Sequence, residues 1–432
     1  MLKLFKNHMA PVGLVLIIVA LLGSAYFADT REHVVLELGL YADSSWDVPQ
    51  GQQYQWIDRV IADFENQHPG VEVVYESGIL KKDYSNWLAN KIVSGKAPDA
   101  FMILEKDFNV LASTDALVNL NNRVASDLDT SLFFPVALEA GRFGSQQFGL
   151  PVESNPVMIC VNTDLLAKEG ISVPQSGWTL QEFYKICQQV TKDTDGNGVL
   201  DQFGFTDYTW QQALLAYGQP LFDRSGQSVF LNTDQSKEAL DFMTKLQELN
   251  GNYKVTTEDF DAGKVAFFPM TLAQYRTYRP YPYHISKYSS FAWTCIKMPA
   301  QTSNINATPV ETSLVGISSK TSHRQLAWEL MMLLSSNTKS QQTLVQQSQG
   351  ISVLQSVMAS DETAQILNTD NVVSEALTTA TIQSMMADAV AEPRFKNYQA
   401  LLKKADYLIS QSLEQGTIET DLIRIQKELE QE

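Results

Sequence analysis

The chain is poor in the residues that thiol and metal chemistry require. Its three cysteines, Cys160, Cys187 and Cys295, are scattered, with no Cys-x-x-Cys pair. That pattern gives neither a disulfide framework nor a redox motif. Cys160 lies in a strand-like apolar run and Cys187 on a helix face, so buried free thiols are expected. There are five histidines, His8, His33, His68, His284 and His323, and none has a partner at metal-ligand spacing. No Gly-x-Ser-x-Gly, no Walker loop and no Gly-x-Gly-x-x-Gly after a strand occurs. Positive charge is also short: 32 Lys and Arg stand against 49 Asp and Glu, a net charge of −17. Such an excess argues against nucleic acid or anionic membrane surfaces as partners. It suits an exported protein with a neutral or cationic ligand. No internal repeat, low-complexity linker or sustained heptad run is present.

What is present begins with an apolar N-terminus. Lys3 and Lys6 precede an uncharged run over residues 9–28. That is about the length a spanning helix needs, with the flanking charges favouring export of the rest. Residues 1–29 read as a retained membrane anchor or a cleaved signal peptide, with Gly23 and Ala25 as small residues for cleavage after Ala25. Leu21-Leu22-Gly23-Ser24 has the form of a lipoprotein box, but Ser24 has no thiol to acylate. The anchor is the favoured reading.

About four hundred residues remain, enough for two ordinary domains. A hydrophobic content of 44% and seven Trp support large cores. Strands and helices alternate. Residues 34–41, 71–75 and 100–104 read as strands. Trp56, Ile57, Val60, Ile61 and Phe64 make a helical stripe between the first two; Tyr84, Trp87, Leu88 and Ile92 make one between the next two. This order predicts a mostly parallel α/β sheet with helices on both faces. Ligands of such sheets bind beyond the carboxyl ends of strands. Thr179 to Glu182 is a capping box opening a helix. From Val372 onward the chain reads as almost wholly helical.

Between a helix and an aromatic strand, Asp193, Asp195, Asn197 and Asp201 occupy positions 1, 3, 5 and 9 of a loop with Gly198 at position 6. With the Val199 carbonyl at position 7 this is the spacing of a structural Ca2+ loop, although Gly204 stands where a bidentate Glu is usual. A metal-free Asp/Asn/Gly turn is the competing reading.

Several segments, in order, carry a resemblance. They are residues 88–99 ending Gly95-Lys-Ala-Pro98-Asp99, Gly149-Leu-Pro151, Val161-Asn162-Thr-Asp164 with Pro174 and Trp178-Thr, and Asp195-Gly-Asn-Gly198 to Gly204-Phe. Phe260-Asp-Ala-Gly263-Lys-Val-Ala266 and Gly316-Ile-Ser-Ser-Lys320 to Ala327-Trp328 complete the set. Together the chain resembles an extracellular solute-binding protein of the family that feeds sugars to bacterial ABC importers, the maltodextrin-binding-like family 1. Ser24, the pair Phe267-Phe268 and an insertion containing Trp46 depart from the family pattern. The resemblance implies a two-lobed, periplasmic-binding-protein-like α/β fold with a cleft between the lobes. It places residues 34–152 with 311–365 in the first lobe and residues 156–305 with 370–432 in the second. Crossings are expected near residues 153–155, 302–310 and 361–369. It also implies a carbohydrate ligand and permease subunits as partners, and the aromatic richness around the expected cleft points to an oligosaccharide or glycoside over an ion or amino acid.

A pyranose offers apolar faces for aromatic rings and a hydroxyl edge for carboxylates and amides. Candidate ligand residues are therefore Tyr41, Trp46, Glu76 and Glu105 at strand ends, Glu153 and Asn155 on the crossing, Tyr208 and Trp210 after the strand that follows the loop, Tyr275 in an aromatic stretch, and Glu311 opening the returning strand. Tyr278, Arg279, Tyr281 and Tyr283 extend the aromatic stretch after Tyr275. Each single aromatic has core packing as its alternative. A glycoside hydrolase would need two carboxylates across the cleft, which Glu76, Glu105, Glu153 and Glu311 could supply. A membrane-tethered binding protein that reports ligand occupancy to a sensor is the third reading.

Overall fold

The structure, a computed structural model, describes residues 33–42, 44–46, 48, 54–175, 177–251, 253–277, 291–369 and 377–431. The apolar N-terminal run and Tyr278, Arg279, Tyr281 and Tyr283 lie outside them. Among the described residues no helix is long and apolar enough to cross a membrane.

The opening strands are β1 (Val34–Gly39), β2 (Val71–Val74) and β3 (Ala100–Ile103). They pair in parallel with β1 in the centre. All four residues of β3 are buried, as a strand covered on both faces requires. Helix Gln55–Gln67 buries the stripe expected of it. It stops at His68, whose ring stacks on Phe64 at 4.2 Å between centroids. Helix Lys81–Val93 buries Tyr84 and Leu88, with Trp87 and Ile92 half-buried beside them.

A short hairpin, β4 (Arg142–Phe143) with β5 (Gln146–Gln147), leads into the strand that joins the two halves of the molecule. This is β6 (Gly149–Asn162), 14 residues long. Its first half pairs antiparallel with β10 (Thr308–Ile317), which also pairs with β3. Its second half pairs with β8 (Val265–Thr271) and β9 (Trp293–Ile296), and β8 carries β7 (Phe203–Phe205) at its edge. The sheet order is β2-β1-β3-β10-β6-β8-β7, so β6 and β10 stitch one half-sheet to the other. The short strands β11 (Ile351–Ser352) and β12 (Ala389–Val390) pair with β6 and β10 at the join.

Two hydrophobic cores follow from this. One surrounds Leu36, Phe64, Phe101, Phe108 and Phe133 and extends across the join to Met158 and Cys160. The other gathers Ile159, Val161, Phe183, Phe205 and Phe267 with the helices Tyr398–Glu414 and Ile418–Glu430. Met158 and Cys160 against Ile159 and Val161 show the period of two at work: successive residues of one strand serve opposite faces. All three cysteines are buried and free.

Two expectations change in the last third of the chain. Residues 361–369 form a helix, Asp361–Thr369, packed on helices Thr338–Gln347, Gln355–Met358 and Thr379–Ala387. The segment that pairs with the crossing is instead Ala389–Val390. The tail is also not wholly helical: β12 and residues 391–397 separate helix Thr379–Ala387 from Tyr398–Glu414. Ile382, Met385 and Met386 pack in the first core, which spans the join between the halves.

Candidate functional site

Where β6 and β10 cross between the halves, an apolar strand turns polar. Glu153, Ser154 and Asn155 are all buried, and they pair in register with Ser313, Thr312 and Glu311. Ser154 Oγ and Thr312 Oγ1 satisfy each other at 3.0 Å. Asn155 Oδ1 accepts from the Ala273 N–H at 2.9 Å, while its Nδ2 has no partner. Trp46 packs on Val48 and Ala273, and its buried indole N–H is likewise unpartnered. Two orphaned donors therefore meet around Ala273.

Glu153 accepts from the Gly350 N–H at 2.8 Å and from the Ser348 hydroxyl. Burial pushes its carboxyl up to about 7, against the opposing pull of the nearby Trp46 indole, the Gly350 N–H and the Arg276 charge. The indole lies close enough to favour the anion but outside full hydrogen-bond geometry. Arg276 is buried too, donating to the carbonyls of Gly350 at 2.6 Å and Val345 at 2.7 Å. Burial lowers its guanidinium to about 10, with Glu153 acting in the other direction.

A cavity of about 1580 Å³ opens between the halves. Phe134, Glu139 and Arg142 line it from the first, Trp210, Phe222 and Arg224 from the second, and Glu311 from the crossing. Glu139 receives Arg224 at 3.0 Å and Arg142 at 3.8 Å, so an ion pair bridges the two sides of the cavity wall. Deeper in, Arg394 is 8% exposed. Its Nη2 donates to Glu105 at 2.9 Å and its guanidinium lies 5.4 Å from the Phe108 ring centre. Its Nε and Nη1 have no acceptor. Beside it, Glu392 is pushed up to about 8, first by burial and then by the charges of Glu105 and Glu311. Arg394 and a hydrogen bond from Tyr398 oppose that rise.

The structure sorts the sequence candidates into groups. Trp210 and Glu311 line the cavity, Trp210 with its indole N–H on Asp406 at 3.0 Å. Glu105 joins them through Arg394. Trp46, Glu153 and Asn155 meet at the polar crossing. The remaining four sit elsewhere. Tyr41 is buried edge-on to Tyr84 at 5.2 Å, its hydroxyl on Ser45 at 2.9 Å. Tyr208 is enclosed by Phe183 and Phe242. Tyr275 is buried edge-on to Trp293 at 5.4 Å. In each case the apolar ring gains more from packing than from a cleft surface. Glu76 lies two residues beyond the end of β2, exposed, and receives Trp87 Nε1 at 3.1 Å and Lys91 at 3.4 Å. Glu392, Arg394 and Tyr398 escaped the sequence reading because the tail read as helix; the Glu392-Pro393-Arg394 break was the available signal.

The loop over residues 193–201 folds on its own side chains. Asp193 accepts from the N–H groups of Gly196, Asn197 and Gly198, and Asp201 accepts from the Thr194 N–H and hydroxyl. These bonds hold both carboxyls below the usual range. Gly196 and Gly198 take φ of 74° and 89°, which the turn requires. The oxygen donors suit a hard cation and each carboxylate retains free lone pairs. Yet among the described residues no three acidic, His or Cys side chains gather to hold a metal. Gly204, at position 12, abuts helix Leu180–Val190: a Cβ there would lie 2.4 Å from Cys187 Cα, so no carboxylate fits.

Comparison with known proteins places this geometry. Solved structures of the same shape include an ABC substrate-binding protein from Listeria monocytogenes in complex with cycloalternan. It is 17% identical, with a TM-score of 0.69 over 93% of this chain and 99% of that one. The sugar-binding protein MalE of Xanthomonas citri is 15% identical, with a TM-score of 0.73 over 92% and 97%. A cyclic α-maltosyl-1,6-maltose binding protein of Arthrobacter globiformis is 16% identical, with a TM-score of 0.74 over 92% and 98%. At such identities the likeness establishes the two-lobed fold. The model of the bacterial extracellular solute-binding protein family matches residues 49–340, more than half of the sequence, and the chain belongs to that family.

Proposed function

We propose that this protein binds a carbohydrate, an oligosaccharide in particular, between its lobes and delivers it to the permease subunits of an ABC importer. The observation that carries the reading is the interlobe cavity of about 1580 Å³, with aromatic wall residues beside paired carboxylate and guanidinium groups. A drug-sized ligand needs ~300–1,000 Å³, so the space suits several linked sugar rings. Phe134, Trp210 and Phe222, each almost wholly buried, form the apolar wall, and Glu311, Glu392 and Arg394 a polar edge. At the crossing, the unpartnered Trp46 and Asn155 donors await acceptors. The similar structures of a protein in complex with cycloalternan and of a cyclic α-maltosyl-1,6-maltose binding protein point to the same ligand class.

Binding without turnover is favoured by the family, which is one of solute-binding proteins, and by how two of the carboxylates are engaged. Glu105 is held by Arg394, and Glu153 by Ser348 and Gly350. A hydrolase needs one carboxyl poised to give up a proton to a leaving group and another opposite it. Export is the natural setting for this family, and retention of residues 9–28 as an anchor would keep the lobes near the importer.

Titration calorimetry with maltotriose, cellotriose and mannotriose, with scattering on the same samples, tests the proposal. We expect saturable binding, compaction on closure and unchanged sugar by chromatography afterwards. Release of shorter sugars, or no heat from any saccharide, refutes it.

A further inference from the structure

Ionisable groups from four separate elements meet at one place in the cavity. Glu105 opens helix Glu105–Ser113, Glu311 lies in β10, Glu392 and Arg394 follow β12, and Tyr398 opens helix Tyr398–Glu414. Three are carboxyls and one is a guanidinium. Among the described residues only Nη2 of Arg394 has an acceptor, Glu105; Nε and Nη1 have none, although the side chain is nine-tenths buried. Glu392 Oε2 is also buried without a partner. Both residues line the same cavity. Orphaned buried polar atoms are costly, and a ligand that meets them removes the cost.

The chemistry of the occupant follows from what meets both. A carboxylate would satisfy Arg394 but would stand among Glu105, Glu311 and Glu392. An ammonium would satisfy the carboxyls but face Arg394. A pair of neighbouring hydroxyls does both, because each hydroxyl accepts and donates. We propose that Arg394 and Glu392 read a hydroxyl pair on an uncharged ring of the bound sugar, and so select neutral saccharides over uronates and amino sugars. This rests on the sugar-binding reading above and names the class of sugar. The groups facing Glu392 are Glu105, Glu311, Arg394 and Tyr398. Burial and the two neighbouring carboxyls push Glu392 up to about 8, so at neutral pH it carries a proton and can donate as well as accept. Above that pH it becomes an anion beside Glu105 and Glu311, and loses its donor.

The experiment uses the full chain and titration calorimetry at pH 7 with maltotriose, cellotriose, mannotriose, trigalacturonate and the glucosamine trimer. A neutral trisaccharide should bind, and both charged trimers should bind at least about tenfold more weakly. Glu392→Leu and Arg394→Met should each weaken the neutral sugar by about tenfold or more, with melting curves confirming that the variants fold. Affinity of the unaltered chain should fall between pH 7 and 9, and Glu392→Gln should remove that fall. Equal affinity for charged and neutral trimers overturns the inference while leaving sugar binding standing. So does full affinity in Glu392→Leu, or a pH profile unchanged by Glu392→Gln. Absence of heat from every saccharide overturns the sugar reading itself.

Discussion

Replacing Glu153 by Gln should change the pH dependence of stability more than stability itself. The carboxyl is buried at the crossing and pushed up to about 7, against 4.5 for an ordinary glutamate. Between those values the folded chain keeps a proton that the unfolded chain has released. Stability contributed by this group is therefore full below 4.5 and declines as pH rises towards 7 and beyond. A pKa difference of one unit corresponds to ~1.4 kcal/mol, so the decline between pH 5 and pH 8 is about 2.5 kcal/mol. Gln keeps the shape and an acceptor for the Gly350 N–H but cannot titrate. Glu392, pushed up to about 8, works in the same direction, but it is present in both proteins and cancels in the difference. Urea denaturation of the ligand-free chain and of Glu153→Gln at pH 5, 6, 7 and 8 reads the effect. The variant should gain on the parent by about 2.5 kcal/mol across that range. A difference that stays flat from pH 5 to pH 8 would mean that Glu153 titrates as an exposed carboxyl does, and the account of the crossing would fail.

If the loop over residues 193–201 takes Ca2+, calcium should raise the melting temperature and EDTA reverse it, and Asp195→Ala should abolish the response; no response to either reagent in the intact chain leaves a turn held by Asp193 and Asp201 alone. If residues 9–28 are retained as an anchor, the chain expressed in a bacterial host should stay with membranes through high-salt washing; a mature chain in the medium beginning at Tyr26 would show cleavage instead.

Local pattern carried the first lobe of the fold. The stripe Trp56, Ile57, Val60, Ile61 and Phe64 is a face one helix must bury, and it is buried. The Thr179–Glu182 box is formed by reciprocal bonds, with the Thr179 hydroxyl accepting from Glu182 N–H at 3.2 Å. Such features depend on neighbours three or four positions away, so a sequence displays them. The passage at Glu153 to Asn155 is an expectation of the family resemblance rather than of local pattern, and there the chain runs through β6 with three buried polar residues. The third passage was not legible, because a two-residue strand such as Ala389–Val390 leaves no period to read.

The site divides along the same line. Trp46, Trp210 and Glu311 are marked by type and by their place beside strands, Glu153 and Asn155 by the crossing the resemblance implies; Trp210 and Glu311 line the cavity and the other three meet at the crossing. Tyr41, Tyr208 and Tyr275 carried the same marks, yet their rings lie in the interior, because an aromatic face serves a core as well as it serves a sugar. Arg394 meets Glu105 from 289 positions away, and no local signal announces such a pair. Its consequence is nonetheless large. Among the described residues the buried guanidinium keeps two nitrogens without an acceptor, and the side chains that would meet a ligand there come from opposite ends of the chain.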